Sequence, residues 1–323
     1  MVFAIGVFGN FFSGMLHTLL YSIYKNANDA EVYIFYQNIN SRAFGIVKSV
    51  FPRVKFRETD FNLEEKYQRR GSKMLFWELA ANELLQQGHT NVCFMDVDTL
   101  VLKDISHFFN EKFDIAFSIK NEKWPLNTGV MLFKLNSNVL SFMQKWKEQS
   151  LLNIRNPENY LKAKSHDYPY GGPDQMAFHT ILSFQKDTLE YNVNGTLLKG
   201  FDSKFFNETR SVRITEHTHI IHYKGGWQKV ILQGGTFSKK RTLSDSKEMY
   251  ILYVKMAEEA LDFVKSKADV QLTLSEFGIS KPSYLNKSYE VNYFKYSFIQ
   301  FCANSEVIIK SYFNSFINKV KKF

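Results

Sequence analysis

Two aspartates, Asp96 and Asp98, lie two residues apart directly after the apolar run Val92–Met95. Side chains at positions i and i+2 of an extended chain point the same way, so both carboxylates can face one ligand. Carboxylate oxygens suit hard divalent cations. If the run is a buried parallel strand, the pair lies at its carboxyl end, where open α/β sheets bind ligands. A solvated turn is the alternative, but unpaired acids directly after apolar residues favour a metal site.

A histidine, His222, ends a second apolar run and precedes two glycines, Gly225 and Gly226. Its imidazole can supply a third metal ligand. The glycines allow the backbone to approach a phosphate closely, and Lys224 or Lys229 can neutralise its charge. The alternative is a buried histidine with satisfied hydrogen bonds beside a glycine turn. Combined with the aspartate pair, the ligand interpretation is favoured.

Other polar residues are weaker candidates. Asn127-Thr128-Gly129 is predicted to be a polar turn before a strand, where short side chains could bind sugar hydroxyls or simply form the turn. Asp174-Gln175 follows a Gly-Gly-Pro break at a predicted helix start, where Asp174 could bind hydroxyls or act as an N-cap. His217 and His219 face differently from His222 in an extended segment, so one strand face cannot present all three.

The positions of these residues depend on a predicted α/β fold. Strand Val2–Phe8, a helix capped by Ser13 and running to about Lys25, and strand Val32–Tyr36 form a βαβ unit, which implies a parallel sheet. The polar segment Leu152–Tyr170 is predicted to be a long loop that could close over a substrate. The remaining predicted elements are a helix and strand within Phe44–Val54, helix Gly71–Gln87, strands Val92–Met95, Phe113–Ile119 and Val130–Leu135, helices Val139–Gln149 and Asp174–Leu182, and strand His219–Tyr223.

Composition sets broad limits on the class of protein. The chain has 323 residues, 45% hydrophobic and 23% charged, which is typical of a folded protein. Cys93 and Cys302 form neither a disulfide framework nor a zinc motif, and Cys93 is predicted to be a buried, inert thiol. No apolar stretch predicts a membrane span and no secretory signal is recognised, so we expect a cytoplasmic protein. The glycosylation patterns at Asn194, Asn207 and Asn286 are therefore interpreted as chance matches.

The net charge of +9 fits anionic partners without choosing among them. The character of the chain changes after about Thr236, which predicts a catalytic domain over 1–235 and a helical extension over 236–323, including an amphipathic helix at Lys247–Lys267. In the tail, Ser305–Phe323, lysines surround an apolar face, which predicts peripheral binding to an anionic membrane surface or packing on the domain. No basic stripe interleaved with aromatics is present, so nucleic acid is not an expected partner.

The candidate blocks occur in a specific order: Asp96-Val97-Asp98, Asn127–Phe133, Asp174-Gln175 and His222–Trp227. This order resembles the GT-A fold glycosyltransferases, above all family 8, the glycogenin and bacterial galactosyltransferase group, over roughly residues 1–235. The resemblance implies a Rossmann-like GT-A fold and a glycosyltransferase dependent on Mn²⁺ or Mg²⁺. The implied donor is a nucleotide-diphosphate sugar and the acceptor a hydroxyl on a glycan, lipid-linked sugar or protein. Retention of configuration is favoured over inversion.

The resemblance also implies roles for individual residues. Asp96, Asp98 and His222 would hold the metal, with Asp96 also near the ribose. Sugar contacts would come from Asn127-Thr128 and Asp174, with Gln175 near the reacting carbon. Lys73, on the helix before the metal strand, resembles the basic residue near the donor sugar and phosphates.

The family ending His-x-x-Gly-x-x-Lys-Pro-Trp is only partly matched. Gln228 occupies the lysine position, Lys229 follows it, and no Pro-Trp comes after. Either Lys224 or Lys229 therefore takes the phosphate role, or the chain belongs to a sister family. If the reaction inverts configuration, a general-base carboxylate is required, and Asp174 is the nominee.

Two rival classes remain at the level of sequence. A phosphohydrolase with Asp96 as nucleophile would need Asp-x-Asp-x-Thr near the chain start, whereas Thr99 is one place early and about 90 residues come first. A non-catalytic nucleotide-sugar or glycan-binding protein is the other, and the full set of ligand types disfavours it.

Overall fold

The computed structural model describes residues 1–27, 29–51, 53–62, 65–120, 125–156, 158–159, 161, 172–185, 187–209, 214–224, 226–233 and 243–279. The strands are β1 Val2–Phe8, β2 Glu31–Gln37, β3 Val54–Glu58, β4 Asn91–Asp96, β5 Thr99–Val101, β6 Ile115–Ile119, β7 Leu126–Lys134, β8 Glu190–Val193, β9 Thr196–Asp202 and β10 Ile220–His222. The α-helices are α1 Gly9–Asn26, α2 Arg42–Val50, α3 Glu65–Gln86, α4 Ser137–Arg155, α5 Pro173–Leu182, α6 Ser203–Phe206, α7 Gly226–Gln233 and α8 Leu243–Ala268. Two 3₁₀ turns lie at Ser106–Asn110 and Leu274–Phe277.

Eight strands form one twisted sheet in the order β3-β2-β1-β4-β7-β6-β9-β8. The first four strands in this order are mutually parallel, as the predicted βαβ unit requires. Strand β7 runs antiparallel between β4 and β6, and β8 is antiparallel to β9, so the other six strands share one direction. The predicted mostly parallel α/β sheet is confirmed. Strands β5 and β10 form a separate antiparallel pair.

Alternation along the strands buries both faces of the sheet. One face, with Ala4, Phe94 and Phe133, packs under α3, α4 and α5, where Trp77 and Trp146 meet edge to face at 5.9 Å. The opposite face packs under α1, α2 and α8. Helices on both sides explain why β1 and β4 are apolar along nearly their whole length.

Several predicted boundaries differ from the structure. The prediction that Ser13 caps the first helix is wrong: α1 begins at Gly9, directly after β1, and the Ser13 hydroxyl donates to the Asn10 carbonyl within the helix. The predicted turn Asn127-Thr128-Gly129 lies inside β7, which begins at Leu126. Helix α4 continues to Arg155, so the start of the predicted loop Leu152–Tyr170 is helical, and residues 162–170 lie outside the described residues.

The described part of the predicted extension packs against the rest of the chain. Tyr253 of α8 contacts the Tyr223 ring at 5.0 Å, and the Tyr223 hydroxyl donates to the Met249 carbonyl. The segment after α8 returns to α1, where the Phe277 ring stacks on His17 at 3.8 Å. The tail Ser305–Phe323 lies outside the described residues. Within the part of the chain that is described, no helix has the length and apolarity needed to cross a membrane.

Candidate metal and donor-sugar site

The small sheet joins two distant parts of the chain that carry the predicted metal ligands. Asp96 is the last residue of β4, and Asp98 lies in the turn before β5. Strand β5 pairs with β10 in a register that places His222 opposite Thr99. The Tyr223 backbone N–H donates to the Asp98 carbonyl at 2.7 Å, which ties this turn to the end of β10. The pairing thus carries the imidazole to the two aspartates.

Asp96, Asp98 and His222 each turn one ligand atom into a common space, and these atoms lie within 4.8 Å of one another. The His222 Nε2 atom is 3.2 Å from Asp98 Oδ1 and 3.7 Å from Asp96 Oδ2. The second oxygen of Asp98 accepts a hydrogen bond from the Gln228 side chain on α7. Two carboxylates and one imidazole nitrogen form a donor set suited to Mn²⁺ or a similar divalent ion.

The two aspartates differ electrostatically. Burial raises the pKa of Asp96, and the neighbouring carboxylates of Asp98 and Asp174 add to that increase against the opposing charges of Lys73 and His222. Burial alone would also raise the pKa of Asp98, but His222 and Gln228 more than offset it and hold that pKa below its ordinary value. Asp98 is therefore the more firmly ionised member of the pair.

Lys73 of α3 joins the pair to Asp174. Its Nζ atom lies 3.0 Å from Asp96 Oδ1 and 3.3 Å from Asp174 Oδ2, and it donates to the Thr128 carbonyl at 2.8 Å. The Thr128 hydroxyl donates to Asp174 Oδ2 at 2.6 Å. Burial would lower the pKa of Lys73, but the two carboxylates more than offset it and raise that pKa. The ammonium is therefore a fixed positive charge at the carboxyl end of the sheet.

The charges of this cluster fit a divalent cation. With His222 neutral, as a metal ligand must be, three carboxylates, those of Asp96, Asp98 and Asp174, face one ammonium, that of Lys73, which leaves two negative charges in a largely buried space. Buried charge that is not balanced is costly. A divalent ion held by the two aspartates and His222 would balance the cluster, so the residues present fit the metal that the GT-A resemblance implies.

Asp174 and Gln175 stand at the start of α5. Asp174 is the second residue of the helix, and the N-cap position belongs to Gly172, so the alternative that Asp174 is the N-cap is wrong. Burial would raise the pKa of Asp174, but Lys73 and the Thr128 hydroxyl more than offset it and lower that pKa. The Gln175 amide donates to the Leu126 carbonyl at 2.6 Å, which fixes it against β7.

Asn127 is buried in β7 and is linked to the metal ligand His222 through the side chain of Asn207. Its Oδ1 atom accepts hydrogen bonds from the Gly129 backbone N–H and from the Asn207 amide, both at 2.8 Å. Asn207 Oδ1 in turn lies 2.8 Å from His222 Nδ1. The side chain of Asn127 therefore supports the imidazole, and its predicted contact with a sugar hydroxyl stays a prediction.

The residues proposed to bind phosphate lie after β10. Lys224 is half-buried, Gly226 is the first residue of α7, and Gly225 and the side chain of Lys229 lie outside what the structure describes. Gln228, at the position where the family motif has lysine, instead binds Asp98. The weaker histidine candidates are not near the metal ligands: the His219 ring bonds the Asp104 carbonyl and His217 is exposed beside Glu216.

Two residues that contact the metal ligands, Gln228 and Asn207, could not be recognised from the sequence. Gln228 was noted only as a departure from a motif, and Asn207 only as a glycosylation pattern. Asn207 is fully buried, with its amide nitrogen 2.6 Å from the Ser118 hydroxyl, so it is no glycosylation acceptor in the folded protein. Local sequence carries no signal for either role, because both arise where α6 and α7 fold back onto the sheet.

An open cleft of about 560 Å³ lies at the carboxyl ends of β1, β2 and β3, the same edge of the sheet as Asp96. Hydrogen bonds between Asn10 and the side chain and backbone of Asn40 join the start of α1 to the loop after β2. Amides that both donate and accept dominate its lining, which comprises Asn10, Gln37, Asn38, Ile39, Asn40, Glu58, Thr59 and Asp60.

A sheet of this topology, with an Asp-x-Asp pair at the end of a central strand and a histidine from a late strand, defines a GT-A glycosyltransferase. Residues 34–228 match the nucleotide-diphospho-sugar transferase family, and the chain belongs to that family. The resemblance to GT-A glycosyltransferases related to family 8, and the enzyme class that it implies, are thereby confirmed.

Several solved structures resemble the chain distantly. The galactosyltransferase LgtC, in complex with donor and acceptor sugar analogs, is 14% identical with a TM-score of 0.46, over 80% of this chain and 96% of that one. The glycosyltransferase GlyE of Streptococcus pneumoniae TIGR4 is 11% identical with a TM-score of 0.49, over 82% of this chain and 64% of that one. Mouse xyloside xylosyltransferase 1 is 12% identical with a TM-score of 0.40, over 69% of this chain and 97% of that one. Likenesses this distant say nothing about substrate or mechanism. A comparison with curated protein sequences finds no significant match.

Proposed function

We propose that this glycosyltransferase moves a sugar from a nucleotide-diphosphate donor to a hydroxyl acceptor on a glycan, lipid-linked sugar or protein, and that it depends on Mn²⁺ or Mg²⁺. The observation that carries the proposal is the convergence of Asp96, Asp98 and His222 at the carboxyl edge of the sheet, beside Lys73. A divalent ion bound there would supply Lewis-acid stabilisation of the diphosphate leaving group.

The donor is proposed to lie along the carboxyl edge of the sheet. Its base and ribose would occupy the amide-lined cleft beside Asn10 and Asn40, since amide groups complement the mixed donors and acceptors of a base edge. Its diphosphate would reach Asp96 and Asp98, and the N–H groups at the start of α7, with Lys224 or Lys229, would stabilise the charge that develops on it.

The chain's own polar groups would position the transferred sugar. Lys73 holds the Asp174 carboxylate in place, and the low pKa of that group keeps it ionised near neutral pH. An ionised carboxylate can accept hydrogen bonds from sugar hydroxyls, stabilise positive charge on the anomeric carbon or act as a base, but it cannot donate a proton. Gln175 follows it at the same helix start and is proposed to lie near the reacting carbon. A retaining reaction is proposed over an inverting one on the strength of the family resemblance.

The first experiment is a panel of nucleotide sugars, assayed for hydrolysis and transfer with and without added Mn²⁺. Asp98→Ala and His222→Ala should each lose at least about 100-fold in metal-dependent activity. His219→Ala is the matched control, because its ring bonds the Asp104 carbonyl and not the metal ligands. Wild-type activity and metal dependence in both site variants would overturn the site. Metal-dependent nucleotide binding without turnover on the whole panel would instead favour a binding protein.

Two further parts of the proposal concern the end of the chain. We propose residues 1–235 as the catalytic domain and 236–323 as a helical extension. The apolar face and lysines of Ser305–Phe323 are proposed to bind an anionic membrane surface. Flotation of the full chain and of a chain truncated before Ser305 on anionic liposomes tests this. Equal binding of both forms would exclude the tail as the membrane contact.

A further inference from the structure

Asn207 is a buried amide, directly after α6, that lies between β7 and the His222 ring. Its Oδ1 atom is 2.8 Å from His222 Nδ1, and its Nδ2 atom donates to Asn127 Oδ1 at 2.8 Å and to the Ser118 hydroxyl at 2.6 Å. We propose that Asn207 is a positioning residue for the metal site: it holds the proton of His222 on Nδ1 and so keeps Nε2 available as a ligand. The inference rests on the proposed metal site.

The hydrogen bonds that link Gly129, Asn127, Asn207 and His222 form a series, and the backbone N–H of Gly129 sets the direction of each one. The Gly129 N–H can only donate, so the atom of the Asn127 side chain that it meets at 2.8 Å is the carbonyl oxygen. The Asn207 atom that meets the same oxygen must then be its NH₂ group. The other end of the Asn207 amide is therefore an oxygen, and it requires a donor from His222.

Ser118 fixes the amide in the same sense. Ser118 pairs with Asn127 across β6 and β7, and its hydroxyl donates to the Asn127 backbone carbonyl at 3.2 Å. With its proton used there, the Ser118 oxygen accepts from Asn207 Nδ2. Reversal of the Asn207 amide would place its oxygen against the Asn127 side-chain oxygen, and Ser118 could donate to it only by giving up its bond to the Asn127 carbonyl.

The proton held on Nδ1 decides what Nε2 offers to its neighbours. In a neutral imidazole one nitrogen carries the proton and the other a lone pair, and the hydrogen bond at one nitrogen sets the state of the other. With Nδ1–H donated to Asn207, the Nε2 lone pair points toward the carboxylates of Asp96 and Asp98, where a cation would lie. The opposite tautomer would place a proton on Nε2, 3.2 Å from Asp98 Oδ1, and that proton would block coordination.

Backbone contacts fix the position of His222, whereas its tautomer depends on Asn207. The His222 N–H donates to the Glu208 carbonyl at 2.7 Å, which pairs the residue after Asn207 with β10. The ring also lies against Gly129. These backbone contacts therefore set where the ring lies. The Asn207 oxygen, 2.8 Å from Nδ1, is the acceptor proposed to set which nitrogen is protonated.

The first test needs no variant. In the metal-free wild-type protein labelled with ¹⁵N-histidine, NMR at an alkaline pH at which the His222 ring is neutral should show a protonated Nδ1 and a pyridine-like Nε2. The signal is assigned among the eight histidines by its absence in His222→Gln. A neutral His222 ring with its proton on Nε2 would overturn the proposal.

The second test measures Mn²⁺ affinity from the loss of the EPR signal of free Mn²⁺. Asn207→Leu should weaken binding by about 10–100-fold, the usual effect of losing the partner of a metal-bound histidine. Asn207→Asp keeps an oxygen facing Nδ1. Burial favours the protonated carboxyl group, whose hydroxyl can donate to Asn127 Oδ1 as the amide does, so this variant should bind Mn²⁺ more nearly as the wild type does. Asn153→Leu is the matched control, a buried amide of α4 that bonds the Pro173 carbonyl, and should lower stability without changing the affinity.

The outcomes separate the two proposals. Equal Mn²⁺ affinity in wild type and Asn207→Leu would overturn the role of Asn207 and leave the metal site standing. If the wild type itself binds no Mn²⁺, the metal site fails, while the tautomer measured by NMR still decides whether Asn207 holds the proton. If Asn207→Asp and Asn207→Leu lose affinity equally, the acceptor is not what matters and the inference is wrong.

Discussion

The ring of His222 lies so close to the backbone of Gly129 that a Cβ atom at residue 129 would stand 2.0 Å from His222 Cε1 and 2.4 Å from Nδ1. Real Cβ atoms do not approach other atoms this closely. The glycine of Asn127-Thr128-Gly129 therefore makes room for the imidazole, and its N–H also fixes the Asn127 oxygen. This tripeptide of β7 thus provides the space for the His222 ring. It also provides the hydrogen bond from Gly129 to Asn127, the first of the series of hydrogen bonds that orients the ring.

Gly129→Ala should displace the His222 ring from the aspartates. We expect Mn²⁺ affinity to fall at least about tenfold and the free energy of unfolding to fall by about 1–3 kcal/mol from overpacking. Titration calorimetry with Mn²⁺ and urea unfolding measure the two effects. Wild-type affinity in Gly129→Ala would mean that His222 is no ligand or that the ring relaxes without cost.

A second close approach joins α1 to the 3₁₀ turn after α8. A Cβ atom on Gly14 would lie 2.0 Å from the Phe277 carbonyl oxygen, so Gly14→Ala should push this segment off α1 and cost about 1–3 kcal/mol of stability. Gly45→Ala is the control with the opposite sign. Gly45 is exposed within α2 with no atom in the way of a Cβ, so the change should stabilise by about 0.5–1 kcal/mol.

Gly14→Ala also separates stability from metal binding, because Gly14 has no contact with the metal ligands. Its Mn²⁺ affinity should equal that of the wild type although its unfolding midpoint in urea is lower. An unchanged midpoint would contradict the packing of residues 274–277 on α1. A lost affinity would instead show that this packing extends its influence to the metal site.

Loss of the Lys73 charge should have opposite effects on the stability of the metal-free protein and on its affinity for Mn²⁺. Lys73→Met leaves Asp96 and Asp174 without their shared ammonium, so the metal-free protein should lose about 1–3 kcal/mol of stability. The cluster becomes more negative, so Mn²⁺ should bind more tightly and raise the melting temperature by more than it does in the wild type. Transfer should nonetheless fall, since Asp174 loses its anchor.

Thermal melts with and without Mn²⁺ measure the stability and the response to the metal, and transfer assays measure the activity. Lys134→Met is the control: Lys134 lies over the Phe113 ring and bonds the Glu111 carbonyl on another part of the sheet. It should change neither the response to Mn²⁺ nor transfer. Weaker Mn²⁺ binding in Lys73→Met would mean that Lys73 positions Asp96 for the metal more than it competes with it.

The sequence predicts those parts of the site that local pattern determines. The apolar run before Asp96 indicates a buried strand, and the carboxyl end of such a strand is where ligands bind, so Asp96 and Asp98 could be identified directly. Asn127-Thr128-Gly129 misled because its composition is typical of turns. Inside β7 its polar groups are satisfied by Lys73 and Asn207, partners that only the tertiary fold supplies.

Other features had no local signal at all. The predicted start of α1 at Ser13 assumed that a capping residue is needed, whereas Gly9, with φ of 73°, turns the chain from β1 straight into the helix. The hairpin of β8 and β9 was not predicted, because apolar and polar residues do not alternate clearly in the sequence around it. Gln228 contacts Asp98 because α7, which begins at Gly226, turns back toward the end of β4, and sequence spacing alone does not give that orientation.

His17 makes stability depend on pH far from the metal site. Its ring is buried between α1 and the Phe277 ring, and burial lowers its pKa to about 3, although hydrogen bonds to backbone groups of Gly14 and Ala257 oppose this. In the unfolded chain its pKa is about 6.5. Between these two values the unfolded chain binds one more proton at this residue than the native protein does. Stability must therefore fall as the pH is lowered from about 6.5 toward 3.

The size of this effect can be isolated by difference. Between about pH 7.5 and pH 5.5, His17 should remove about 1.4 kcal/mol of stability, and His17→Gln, which does not titrate, should lack that loss. Urea unfolding of both proteins at both pH values gives the two differences, in which every other titrating group cancels. His17→Gln is expected to be the less stable protein at pH 7.5, because it loses the stacking on Phe277, and to close most of that gap at pH 5.5. Parallel pH profiles would mean that His17 titrates alike in the native and unfolded chains, which its burial forbids.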